Sequence, residues 1–135
     1  MPEEQKNAPA EETLWAIAPD WYPQNGRSII ALLKSYLCAG CAVRAGDKKE
    51  PTLKSLLANI QSCCAKEPEF FSDKLPIMES TFRIFLRNGN KPMTLRELSS
   101  ELGRVRSGDI YRTSPETLMH ILKNDRFYGL QQVAD

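Results

Sequence analysis

Apolar residues in this chain recur at three- and four-residue intervals in segment after segment, the spacing that gathers side chains on one face of an α-helix. Ile29, Ile30, Leu33, Tyr36, Leu37 and Gly40 fall on one such stripe and predict a helix running from Arg27 to between Arg44 and Gly46. Leu53, Leu56, Leu57, Ile60 and Cys64 form a second stripe, in a helix opened by Pro51 or Thr52 and ended by Glu67-Pro68. Only a short charged link, Asp47-Lys48-Lys49-Glu50, separates the two, so they are expected to fold back as an antiparallel hairpin. Ahead of them, Glu11 to Ala18 is expected to form a short helix that groups Leu14, Trp15 and Ile17 and stops at Pro19. Pro19 to Gly26 is dense in turn formers and carries Trp21 and Tyr22 as aromatic anchors, while Phe70 and Phe71 are expected to plug the core beyond the hairpin.

The second half has its own start and stop signals. Pro76 suits the first turn of a helix whose stripe is Met78, Phe82, Phe85 and Leu86, widened by Ile77 and Ile84, with Asn88-Gly89 as its stop. Thr94 precedes Glu97 by three residues, the capping-box arrangement, and opens a helix from Leu95 to Leu102 that Gly103 is expected to close. Ser114, Pro115 and Glu116 read as N-cap, N1 and a carboxylate at the positive end of the helix dipole, for a helix to about Asn124 that buries Leu118, Ile121 and Leu122. Phe127 to Val133 has strand character and is expected to pair with the extended link Lys91–Met93. Helix, short strand, helix, helix, strand is the winged-helix order. The predicted fold is mainly α: a helical hairpin over residues 13–75, packed on a winged-helix-like module with a small β element over residues 76–135, with residues 1–12 as a tail.

At 135 residues, 41% hydrophobic and 26% charged, the chain has the size and apolar content of one compact core. The longest apolar run, Ser28 to Leu37, is broken by Lys34 and falls short of the roughly 20 residues a membrane span needs. Glu3, Glu4, Glu11 and Glu12 stand where an export signal would carry positive charge, so a cytoplasmic location is expected. Residues 1–75 hold nine Lys/Arg against ten Asp/Glu, and residues 76–135 hold nine against seven. That balance neither demands nor excludes nucleic acid.

Three runs carry a resemblance: Asn90-Lys91-Pro92-Met93-Thr94-Leu95-Arg96-Glu97-Leu98, Arg112-Thr113-Ser114-Pro115-Glu116-Thr117-Leu118 and Asp125-Arg126-Phe127. Together they resemble the HARE-type helix-turn-helix domains, a family that includes a winged-helix subunit of bacterial RNA polymerase and modules of chromatin and restriction proteins. The resemblance spans residues 76–130 and implies a small DNA-binding or transcription-associated regulator. The closing hairpin of that family is expected to be shortened here or reduced to one strand, which argues against a DNA contact through the wing. The residues expected to meet nucleic acid are Arg104, Arg106 and Arg112 in the loop, Thr117, His120 and Lys123 on the third helix, and Arg126 after it. Double-stranded DNA is the expected partner; the alternative is a protein-binding adaptor in which Trp15, Trp21 and Tyr22 take part. A homodimer is compatible with either.

Four cysteines remain, Cys38-Ala39-Gly40-Cys41 and Cys63-Cys64. C-x-x-C is a usual zinc half-site. With the hairpin turn centred near Lys48, however, Cys38 lies ten residues before it and Cys63 fifteen after, an axial offset of about 7 Å at roughly 1.5 Å per residue. Adjacent residues of a helix also point about 100° apart. The expectation is therefore four reduced cysteines packed as small hydrophobes, with no metal and no cofactor; a redox-active Cys38–Cys41 pair is the other alternative, disfavoured because a redox C-x-x-C usually opens a helix and this one is expected near a helix end. His120 is the only histidine, and no glycine-rich phosphate loop, nucleophile elbow or carboxylate cluster is present, so no enzymatic activity is expected.

Overall fold

The computed structural model of the protein describes residues 9–46, 51–72, 74–106 and 113–133. The architecture is mainly helical with a small three-stranded antiparallel sheet. In chain order the elements are β1 (Leu14–Ile17), α1 (Trp21–Gln24), α2 (Ile29–Lys34), α3 (Ala39–Gly46), α4 (Leu53–Ser62), α5 (Ile77–Arg87), β2 (Met93–Thr94), α6 (Leu95–Val105), α7 (Pro115–Lys123) and β3 (Leu130–Val133). Short 3-10 turns stand at Ala10–Glu12, Cys64–Lys66 and Pro68–Phe70.

The segment expected as a helix over 11–18 is instead a 3-10 turn followed by β1, the middle strand of the sheet. Trp15, Ala16 and Ile17 are all buried, so the strand is covered on both faces and its sequence lacks the polar alternation that marks a half-exposed one. A run this short gains too few helical hydrogen bonds to repay nucleation. Burial therefore decides. β3 pairs with β1, Leu14 opposite Val133 through Ile17 opposite Leu130, rather than with the link before α6. β2 takes the other edge of β1, with Leu14 opposite Thr94 and Trp15 opposite Met93. Strands from both halves of the chain thus share one sheet.

A second correction concerns the helix expected from Arg27 to about Gly46. It is two helices. After α2, the amides of Ser35, Tyr36 and Leu37 donate to Leu32, Leu33 and Lys34, three residues back, and the tightened turn redirects the chain before α3. Gly40 is consequently exposed rather than on the buried stripe. α6 also continues through Gly103 to Val105.

The helix starts follow their side-chain chemistry. Ser28 caps α2 by accepting from the Ala31 amide, Thr52 and Ser55 form a reciprocal capping box on α4, Thr94 and Glu97 form one on α6, and Ser114 caps α7 with Pro115 in its first turn. α5 runs through the centre: Phe82, Ile84, Phe85 and Leu86 are all buried, against Leu33, Leu56, Ile60, Leu98 and Leu102. The aromatics Trp15 and Tyr22 are core side chains, and Trp21 is half-buried. No helix among the described residues is long and apolar enough to cross a membrane.

Asn90 closes the end of the sheet. Its backbone sits in the left-handed region at φ 62°, and its side-chain amide meets both polar groups of Ile17, accepting from the N–H at 2.8 Å and donating to the C=O at 2.9 Å. Asparagine tolerates that backbone conformation better than most residues. Asn90→Gly keeps the backbone unstrained and removes the amide, so it is expected to lower unfolding free energy by about 2 kcal/mol, seen as a lower urea midpoint with unchanged slope.

Candidate metal centre

The turn between α2 and α3 changes what the cysteines can do. Cys38 stands immediately before α3 and its carbonyl accepts the Ala42 amide at 2.8 Å, so C-x-x-C occupies a helix N-terminus, not the end of a long helix. First-turn amides have no intrahelical acceptor and point outward, and the helix dipole places positive potential there. Across from it, α4 ends at Ser62. Cys63 leaves helical geometry at φ −132° and ψ −66°, and Cys64 opens the following 3-10 turn. That break swings two adjacent side chains toward one point.

All four Sγ atoms lie within 4.8 Å of one another. Cys38 Sγ is 3.7 Å from Cys63 Sγ, and the Cys38 backbone N–H donates to Cys64 Sγ at 3.1 Å. This overturns the expectation that the axial offset and the 100° divergence keep the thiols apart. Both arguments assumed unbroken helices, and the chain breaks at both sites. The cysteines are thiols, not disulfides. Tetrahedral zinc at about 2.3 Å from each sulfur needs sulfurs separated by roughly 3.8 Å, so contraction by less than about 1 Å would complete the shell.

The cluster is half open. Cys41 and Cys64 are buried, at 3% and 1% exposure, whereas Cys38 and Cys63 are partly exposed. Beside them lies a cleft of about 300 Å³ lined by Tyr36, Cys38, Cys64, Phe70 and Arg83. The Cys41 amide, assisted by the Cys64 thiol, pulls the Cys38 thiol down to about 7. Burial pushes Cys41 and Cys64 up, and sharing with the thiols of Cys41 and Cys38 pushes Cys63 up. Of the four thiols, Cys38 is therefore the one that ionises most readily.

A polar network anchors the turn that carries Cys38. Glu79 on α5 accepts from Tyr36 Oη and Tyr128 Oη, each at 2.7 Å, and from Arg83 Nε at 2.9 Å, while Arg83 also donates to the Phe70 carbonyl at 2.9 Å. Burial opposes ionisation of Glu79, but these three donors outweigh it and hold the carboxyl below its ordinary range. Burial and the Glu79 carboxylate both raise Tyr36 and Tyr128, which stay protonated donors. Spacing in the sequence pairs only Glu79 with Arg83, four residues apart on α5, whereas Tyr36 and Tyr128 come from distant segments.

The residues expected to meet nucleic acid differ in exposure. Arg106 is buried at 7% exposure and donates to the Leu75 carbonyl and to Ser80 Oγ, so its charge is spent inside the protein. Arg104 is exposed and sits 3.6 Å from Glu101. Thr117 is half-buried and belongs to the α7 cap, its hydroxyl accepting from Ser114 Oγ at 2.9 Å. His120, Lys123 and Arg126 are exposed, and Arg112 lies outside the described residues. The chain matches no protein-family model, no curated protein and no solved structure.

Because thiols must lose their protons to bind a metal, uptake of zinc near neutral pH is expected to release protons. Affinity is expected to fall as pH falls, since protons then compete for the same sulfurs. Calorimetry in buffers of different ionisation enthalpy measures the number released, and a value near zero would show that the thiols are not the ligands.

Proposed function

We propose that this protein is a zinc-binding interaction module, in which a Cys38, Cys41, Cys63 and Cys64 centre staples the N-terminal helices and the rest of the fold presents a binding surface. The observation that carries the reading is the convergence of four thiols within 4.8 Å from two separate helix ends. Four protein ligands fill a tetrahedral shell and leave no position for substrate, so the metal's role is structural. The amide-to-sulfur bond from Cys38 to Cys64 supports thiolate ligation by offsetting negative charge on the ligand set.

The purified chain is expected to carry one zinc, to give thiolate-to-metal absorption with cobalt(II), and to lose thermal stability when a chelator strips the metal. Cys41→Ser and Cys64→Ser are each expected to weaken zinc binding by about a hundredfold or more, beyond the usual cost of changes outside the ligand shell. A chain that purifies without metal and binds neither ion would overturn the reading.

Double-stranded DNA is the second reading, favoured by the exposure of His120 and Lys123 on α7 with Arg126 just beyond its end, and by the HARE-type resemblance of the same region. Two phosphate contacts from Lys123 and Arg126 predict affinity that drops about tenfold between roughly 50 and 200 mM salt. Fluorescence anisotropy with a labelled duplex tests this: neutralising both residues should abolish most of the salt slope, and no binding at micromolar protein leaves a protein as the partner.

A further inference from the structure

We propose that the cysteine centre is a peroxide-responsive switch, in which oxidation joins Cys38 and Cys63 as a disulfide and expels the metal. The inference rests on the reading of the four cysteines as a zinc site and adds to it how that site is emptied. Exposure divides the four sulfurs into two pairs. Cys41 and Cys64 are buried, although Cys64 also lines the cleft, while Cys38 and Cys63 are partly exposed and already face each other at 3.7 Å. Closing that gap to the roughly 2.05 Å of a disulfide needs a shift of less than about 2 Å. Both residues sit where the backbone can give: Cys38 in the turn before α3, Cys63 at the non-helical end of α4.

A route for the oxidant is present as well. The cleft of about 300 Å³ beside Cys38 is bounded by Tyr36, Phe70 and Arg83, and it has ample room for a molecule the size of hydrogen peroxide. The chemistry balances without any further reagent. Cys38 sulfur attacks one peroxide oxygen, the O–O bond breaks, and the departing hydroxide takes a proton from solvent to leave as water. Cys63 sulfur then attacks the sulfenic sulfur of Cys38; the S–S bond forms as the S–O bond breaks, and the second hydroxide is protonated to water. Two electrons pass from two thiolates to the peroxide. Cys41 and Cys64 alone offer zinc two ligands, too few for a closed site, and the ion departs. The new bond joins the same two helix ends the metal joined, so the oxidised chain keeps its fold and a reductant restores the site.

The test treats the zinc-loaded full chain with hydrogen peroxide, follows zinc with a chromogenic chelator, and maps disulfides by peptide mass spectrometry. The expected result is one zinc released per disulfide, a Cys38–Cys63 link, and recovery of zinc binding after reduction. Cys63→His retains a fourth ligand but cannot close the disulfide, and its release of zinc should be at least tenfold slower. Zinc retained while peroxide is consumed, a link between another pair, or equal release from Cys63→His overturns the switch and leaves the zinc site standing. A chain that takes up no zinc at the loading step overturns both.

Discussion

The backbone of β1 has to be satisfied on both edges. Trp15, Ala16 and Ile17 are buried, and a peptide group placed there without a partner costs free energy comparable to a lost hydrogen bond. β3 supplies one edge over four residue pairs, and β2 supplies the other over two. Where β2 runs out, the Asn90 side chain stands in for a strand by pairing with both polar groups of Ile17. The first and last strands among the described residues are thereby locked together, and the helices pack around that joint. Gly129 shows how close the fit is. At φ 67° it approaches Trp21 and Tyr22 so nearly that a Cβ would lie 2.8 Å from Tyr22 Cε1, while Tyr22 Oη donates to the Tyr128 carbonyl just beside it.

The cysteine cluster is tied into the same core through hydrogen bonds. Tyr36 lies two residues before Cys38 and reaches Glu79 on α5, the carboxylate that also holds Tyr128 next to β3. Arg83, one helical turn after Glu79, secures the Phe70 carbonyl beyond the second cysteine pair. A change in how the two helix ends are joined therefore acts on residues that touch the central helix and the sheet. The Glu79 carboxylate is the shared acceptor, with no unpaired polar side-chain atom left buried among the described residues.

Much of the fold was legible because it was written in local chemistry. Thr52, Thr94 and Ser114 start their helices by hydrogen-bonding their own backbone, and Pro115 fits the turn it occupies, all visible within four residues of sequence. β1 was not legible, because four apolar residues suit a buried strand or a helical turn equally and only pairing with residues about a hundred positions away decides between them. The centre was visible as composition and misjudged as geometry. No glycine or proline marks the turn at Ser35–Leu37, so the stripe from Ile29 to Gly40 read as one helix, and the two cysteine pairs were projected onto ideal cylinders. The C-x-x-C pair stands at a helix N-terminus and not inside a long helix, so its first-turn amides have no intrahelical acceptor. Arg106 misled in the opposite direction: in a polar loop an arginine looks solvated, but a guanidinium can cap a carbonyl and a hydroxyl across the core.

The position of β1 also bears on the order in which the molecule can assemble. Its partners β2 and β3 lie far along the chain, so the sheet closes only once the residues up to Val133 are available, and long-range closure of this kind slows folding. The four cysteines, by contrast, span residues 38 to 64, and the amide-to-sulfur contact from Cys38 to Cys64 bridges only 26 positions. During synthesis the α3–α4 segment emerges with all four cysteines while the residues of β3 have yet to be made. A metal bound at that stage would hold two helix ends in register and present Leu33, Leu56 and Ile60 as a ready surface for α5, making the cysteines a scaffold in time as well as in space.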